Sequence, residues 1–158
     1  MVTKGFTTSL WFDGQAEQAA DFYLSVFKDG EKGRIGRYTD AGPGEPGSVL
    51  AVVWTVNGQR FVGINGGPQF HFDEAISFQI HCDDQDEVDY YWDRLTEGGG
   101  EHGDCGWLKD RFGLSWQVVP ANWEEVAAGD PDRAARVFAA LMQMKKIDIA
   151  ALEAAAAG

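Results

Sequence analysis

Apolar positions along the chain follow two rhythms, one of period two and one of helical spacing, and the two alternate in a fixed order. Residues 6–12, FTTSLWF, read as a strand, and Asp13 then stands where a helix N-cap belongs. Ala16, Ala19, Ala20, Tyr23 and Phe27 fall on one stripe of the helix that follows. Charge and glycine at 28–33 end that helix, a strand fits around Arg34–Thr39, and AGPGEPG reads as a loop. Residues 48–56 (SVLAVVWTV) and 60–65 (RFVGIN) make two more strands joined by Asn57-Gly58. Both residues of such a pair accept the positive φ of a two-residue hairpin turn. Gly66, Gly67 and Pro68 close this first β-α-β-β-β module.

The order then repeats. SFQIHC (77–82) is a strand with Phe78, Ile80 and Cys82 on one face, and either Asp83 or Asp84 caps a helix with the stripe Val88, Tyr91, Trp92, Leu95. Glycines 98–100 break it, and residues 101–119 supply the remaining strands. Within 103–120 the text reads as a short strand, a turn through Asp110 to Gly113, and a second strand stopped by Pro120. Leu114, Trp116 and Val118 share one face of that strand, and Ser115, Gln117 and Val119 the other. The apolar face should pack on helices, leaving the mixed face to line a cavity. After Pro120 the spacing turns helical. Asp130 caps, Pro131 suits the first helical position, Val137, Phe138, Leu141 and Met142 form a stripe, and a last helix covers 149–157. The expected class is α+β: a single domain over 1–158, with module one at 5–68, module two at 75–120 and a helical tail at 121–158.

Composition narrows the function. A net charge of −12 disfavours phosphate-backbone binding, so no nucleic-acid partner is expected. No apolar run approaches a bilayer span and no cleavable leader is legible, which makes a cytoplasmic protein without a membrane partner the expectation. Two cysteines, Cys82 and Cys105, do not build a disulfide framework.

Three stretches, LWFDGQAEQAADFY, CGWLKDRFGLSWQVVP and MKKIDIAALE, resemble the PhnB-like proteins of the glyoxalase/bleomycin-resistance/dioxygenase group, the vicinal oxygen chelate superfamily. Close relatives often carry the label 3-demethylubiquinone-9 3-methyltransferase. The resemblance implies two βαβββ modules whose curved mixed sheets form a cup, completed in a homodimer. Members usually hold a divalent metal there through His, Glu or Gln. Transferred to this sequence, the ligand positions fall on Thr8, on Gly63 or Asn65, on Ser77, and on Gln117, with Gln79 or His81 entering if the register slips by two. Hydroxyl, amide and glycine are poor metal ligands beside imidazole and carboxylate, so no metal and no other cofactor are expected.

Other chemistry finds little footing in the residues, and an acid-base pair of carboxylates among Asp73, Glu74 and Asp110 cannot be singled out from so many acidic residues. His81 and Cys82 point to opposite faces of one strand and cannot easily share a zinc ion with His102 and Cys105. GPGEPG (42–47) spells GxGxxG, yet it carries two prolines and runs into a strand, whereas a nucleotide loop opens a helix. Cys105 would need a base and a positive setting to act as a nucleophile; Lys109, Arg111 and His102 are the neighbours in sequence. What remains is a small-molecule pocket. Thr8, Gly63, Asn65, Ser77, Gln79, His81, Cys105, Lys109 and Gln117 are its candidate lining, with Trp11, Trp54, Trp107 and Phe112 as walls or rim. The expected function is metal-free binding of a small molecule in the cup. The alternatives are a glyoxalase- or dioxygenase-type enzyme with a non-standard metal site and, less favoured, the methyltransferase of the family label.

Overall fold

The computed structural model describes residues 5–158, and the chain separates into two units, Met1–His71 and Phe72–Gly158. In the first, β1 (Thr8–Phe12), α1 (Ala16–Val26), β2 (Gly30–Arg37), β3 (Val49–Val56) and β4 (Gln59–Asn65) follow in order. Their sheet runs β1-β4-β3-β2, with β1 parallel to β4 and the other pairs antiparallel. The β3–β4 turn is made as the sequence requires, with φ of 48° at Asn57 and 77° at Gly58. Ala16, Ala19, Ala20, Tyr23 and Phe27 are all buried against the sheet. Tyr23 stacks on Trp54 at 5.9 Å, and Trp54 on Phe61 at 5.7 Å.

The second unit repeats the arrangement. β5 (Ser77–Cys82), α2 (Gln85–Thr96), β6 (Glu101–His102), β7 (Trp107–Lys109) and β8 (Ser115–Pro120) form a sheet of order β5-β8-β7-β6, again with its first strand parallel to its last. Asp84 caps α2, accepting from the Glu87 amide, and Val88, Trp92 and Leu95 are buried while Tyr91 is partly exposed. Three helices follow: α3 (Trp123–Ala127), α4 (Pro131–Leu141) and α5 (Ile149–Ala157). Asp130 accepts from the amides of Asp132 and Arg133, with Pro131 in the first turn as expected.

Local expectations fail in three places. Asp13 does not cap α1; Gln15 holds that position with no side-chain bond, and the Ala16 amide donates to Asn65 Oδ1 at 2.9 Å instead. β2 starts four residues early, because the backbone of Gly30, Glu31 and Lys32 pairs with Val56, Thr55 and Trp54 of β3; Lys32 also ion-pairs with Glu17 (3.0 Å) and Asp21 (2.9 Å) on α1. On α4 only Val137 and Leu141 are buried, and Phe138 and Met142 lie 50% and 66% exposed.

Candidate functional site

α1 packs on one face of the first sheet and α2 on one face of the second. In the second unit the parity of β5 and β8 decides which side chains face away from α2. Phe78, Ile80, Cys82, Trp116 and Val118 turn one way, and Cys82 and Val118 are sealed in the core. Ser77, Gln79, His81, Ser115, Gln117 and Val119 turn the other way. Gln117 Nε2 donates to Ser77 Oγ at 2.8 Å, and Gln79 Nε2 to Gln117 Oε1 at 3.3 Å. These bonds run across the two central strands and hold the amides in one orientation. In β7, Trp107 lies opposite Gln117 and Lys109 opposite Ser115, so both continue this face, and Glu101 of β6 pairs with Lys109 beyond them.

A concavity of ≈ 400 Å³ at the β6–β7 side of this face is lined by Glu74, Trp107, Lys109 and Ser115 among others. Lys109 Nζ is ion-paired with Glu74. The hydrogen bond and charge of Glu74 raise the Lys109 pKa above the ordinary ammonium range, and Lys109 lowers that of Glu74. Ser115 is fully buried there, and its Oγ has no hydrogen-bond partner among the described residues. At the β5 side, Gln79 and His81 meet Trp123, Glu124 and Glu125 around a second concavity of ≈ 500 Å³.

Six of the sequence-derived candidates thus share one face: Ser77, Gln79, His81, Trp107, Lys109 and Gln117. Others lie elsewhere. Trp54 is 1% exposed in the aromatic stack under α1. A Cβ on Gly63 would meet Trp54, Ala16 and Phe12, so this position serves helix packing. Asn65 takes the Ala16 amide and donates to Val49 O at 3.1 Å, a structural clamp between α1 and the sheet. Thr8 has the parity of Leu10 and Phe12 in β1 and pairs with Phe61, placing it on the helix side. Trp11 does face away from α1, but it is pinned by its own chain, donating to Gly67 O at 2.8 Å and meeting Phe70 edge-on at 4.9 Å. Phe112 sits partly exposed in the Asp110–Gly113 turn and is not among the residues around either concavity.

Cys105 faces the helical tail. Its Sγ approaches Leu141 O at 3.5 Å and Met142 Sδ at 3.9 Å, and its amide donates to Met144 O. His102 stacks on Trp92 at 4.5 Å on the helix side, and Lys109 is taken by Glu74, so neither supplies the base or positive setting that a nucleophilic thiol needs. Asp110, an acid-base candidate by composition, is buried and accepts from the Phe112 and Leu114 amides and from Trp116 Nε1. It fastens the turn. The GPGEPG loop is likewise structural: Cβ atoms at Gly42 and Gly44 would strike the Tyr38 ring, whose hydroxyl donates to Asn65 O at 2.7 Å.

Among the described residues no group of three or more His, Cys, Asp or Glu side chains is placed to hold a metal ion. Apart from the His81 imidazole, the bonded groups at the centre of the shared face are hydroxyl and carboxamide, poorer ligands for the divalent metal of the superfamily than imidazole or carboxylate. From sequence alone Ser115 is placed on the mixed strand face but not singled out as a candidate, and Glu74 is only one of three undistinguished carboxylates, Asp73, Glu74 and Asp110. Ser115 had a usable signal, the parity it shares with Gln117; Glu74 had none, since it lies in the irregular approach to β5.

Comparison with known proteins fits this architecture. The family described as 3-demethylubiquinone-9 3-methyltransferase matches residues 4–119. The chain belongs to this PhnB-like family. A Bacillus cereus PhnB protein described as a 3-demethylubiquinone-9 3-methyltransferase is 35% identical, with a TM-score of 0.66 over 75% of this chain and 100% of the other. The manganese- and sulfate-bound FosX, a fosfomycin resistance protein of Listeria monocytogenes, shares the fold at 18% identity and TM-score 0.57, over 81% and 100% of the two chains. The Pseudomonas aeruginosa protein PA1353 does so at 17% identity and 0.60, over 73% and 96%. The family match and the Bacillus cereus relative place the PhnB-like chain in the vicinal oxygen chelate superfamily. No curated protein matches it.

Proposed function

We propose that this PhnB-like protein binds a small molecule on the open face of β5, β8 and β7, without a metal ion. The supporting observation is the oriented carboxamide pair Gln79–Gln117, anchored on Ser77 and flanked by Trp107, with concavities at both ends. A few fixed polar groups beside an aromatic wall are the usual make-up of a ligand site. The amides offer both donors and acceptors, which suits a ligand with carbonyl or hydroxyl groups. The homodimer implied by the superfamily belongs to the same proposal and is tested by the mass of the native protein. A methyltransferase reading would need a site for a nucleoside cofactor, whereas in GPGEPG Gly42 and Gly44 pack on the Tyr38 ring and Gly47 takes a left-handed φ of 86°.

Thermal melting of chelator-treated protein across a collection of small oxygenated compounds tests the reading. A ligand that binds only the folded state raises the midpoint by mass action. The expected result is stabilisation by at least one compound class, lost in Gln117→Leu. Stabilisation that requires added divalent metal, or survives Gln117→Leu unchanged, contradicts it.

A further inference from the structure

The Lys109–Glu74 ion pair crosses a strand. Glu74 lies three residues before Ser77 at the start of β5, Lys109 ends β7, and β8 runs between those two strands with Ser115 directly opposite both Ser77 and Lys109. The bridge therefore passes over the end of β8 where the fully buried Ser115 hydroxyl has no partner among the described residues. A buried hydroxyl without a hydrogen bond is unfavourable, and native structures leave few of them. The ion pair itself is exposed, with side-chain exposures of 39% for Lys109 and 60% for Glu74, and such pairs contribute little to stability. A strong local reason to keep an orphan donor beneath a weak bridge is absent from the fold itself.

We infer that Glu74 is an internal stand-in for a ligand carboxylate, and that the concavity beside Trp107 takes an aromatic or aliphatic monocarboxylate whose head displaces Glu74 from Lys109 and accepts from Ser115 Oγ. Lysine and serine then supply two donors to one oxyanion, a charge-assisted arrangement stronger than either neutral bond. The half-buried Trp107 indole gives the apolar body of the ligand a surface. Glu101 and Asp104 also border the concavity, and their charge limits the ligand to a single negative charge. This inference rests on the binding face proposed above and names the class of molecule it takes.

Opposite charges on the probe separate the outcomes. Metal-free wild type, Glu74→Gln, Ser115→Ala and Lys109→Met are titrated with benzoate and with benzylamine by calorimetry. Removing the internal competitor in Glu74→Gln should tighten benzoate by roughly two- to fivefold, the range that an exposed pair can supply. Lys109→Met should abolish benzoate binding, and Lys109→Gln repeats the test if that variant does not fold. Ser115→Ala should weaken benzoate without lowering the melting temperature. Benzoate binding unchanged or weaker in Glu74→Gln, or a preference for benzylamine in wild type, overturns the inference. If either occurs while other compounds still stabilise the protein through Gln117, the binding face stands and only the carboxylate assignment falls.

Discussion

Asp110→Asn isolates the bond network that sets the end of the proposed face. Asp110 is 2% exposed, and its carboxylate accepts from the amides of Phe112 (2.9 Å) and Leu114 (3.1 Å) on Oδ1 and from Trp116 Nε1 (2.9 Å) on Oδ2. An asparagine keeps one carbonyl oxygen for the two amides and turns its NH2 group toward the indole N–H. One bond to a charged acceptor is lost, worth about 1.5–3 kcal/mol, and the buried indole donor is left facing another donor, at a further cost of about 1–3 kcal/mol. These terms overlap, so a net loss of about 3 kcal/mol is expected, against a total stability on the order of 5–15 kcal/mol. At about 2–4 °C per kcal/mol for a chain of this size, the melting midpoint should fall by roughly 6–12 °C. Urea unfolding followed by tryptophan fluorescence measures it. A loss below about 1 kcal/mol would refute the assignment of Asp110 as the fastener of the turn.

Three further outcomes follow from the same geometry. Asn65→Ala should cost about 1–2 kcal/mol in urea unfolding, because it removes the acceptor for the first amide of α1 and the donor to Val49 O together. Trp54→Ala should cost about 3–5 kcal/mol, the range for emptying an aromatic core site, and should leave ligand binding to folded protein intact. Burial, reinforced by Glu87, Asp84 and Asp83, pushes the Cys82 thiol up to about 12. Between the ordinary thiol range and that value the unfolded chain has lost this proton and the folded chain keeps it, so stability should decline as pH rises through that window. Cys82→Ala should flatten the decline, which unfolding titrations across alkaline pH would detect.

Much of the architecture is legible in the chain because local signals agree with the fold. Asn57-Gly58, Asp84 and Asp130-Pro131 each dictate one backbone conformation, and all three are used. The face of β5 and β8 was readable for a related reason: Phe78, Ile80 and Cys82 alternate cleanly with Ser77, Gln79 and His81, so parity is unambiguous. In β4 the alternation fails. Phe61, Gly63 and Asn65 lie on one face and Val62 and Ile64 on the other, so neither side is distinctly polar, and Gly63 and Asn65 read equally well either way. β3, VLAVVWTV, is apolar on both faces, which hid the direction of Trp54. Cys105 escaped for another cause. Its φ of 57° places it in a left-handed turn whose contacts are with residues 141–144, a partnership no local pattern announces.

The open face of the second sheet carries the functional account, and side-chain NMR of metal-free protein tests it most directly. The Trp107 indole N–H and the Gln79 and Gln117 carboxamide resonances are followed while a stabilising compound is titrated in. These signals should shift together and saturate at one ligand per chain, in the presence of chelator. Shifts confined to Trp11 or Trp123, or shifts that need a divalent ion, would contradict it.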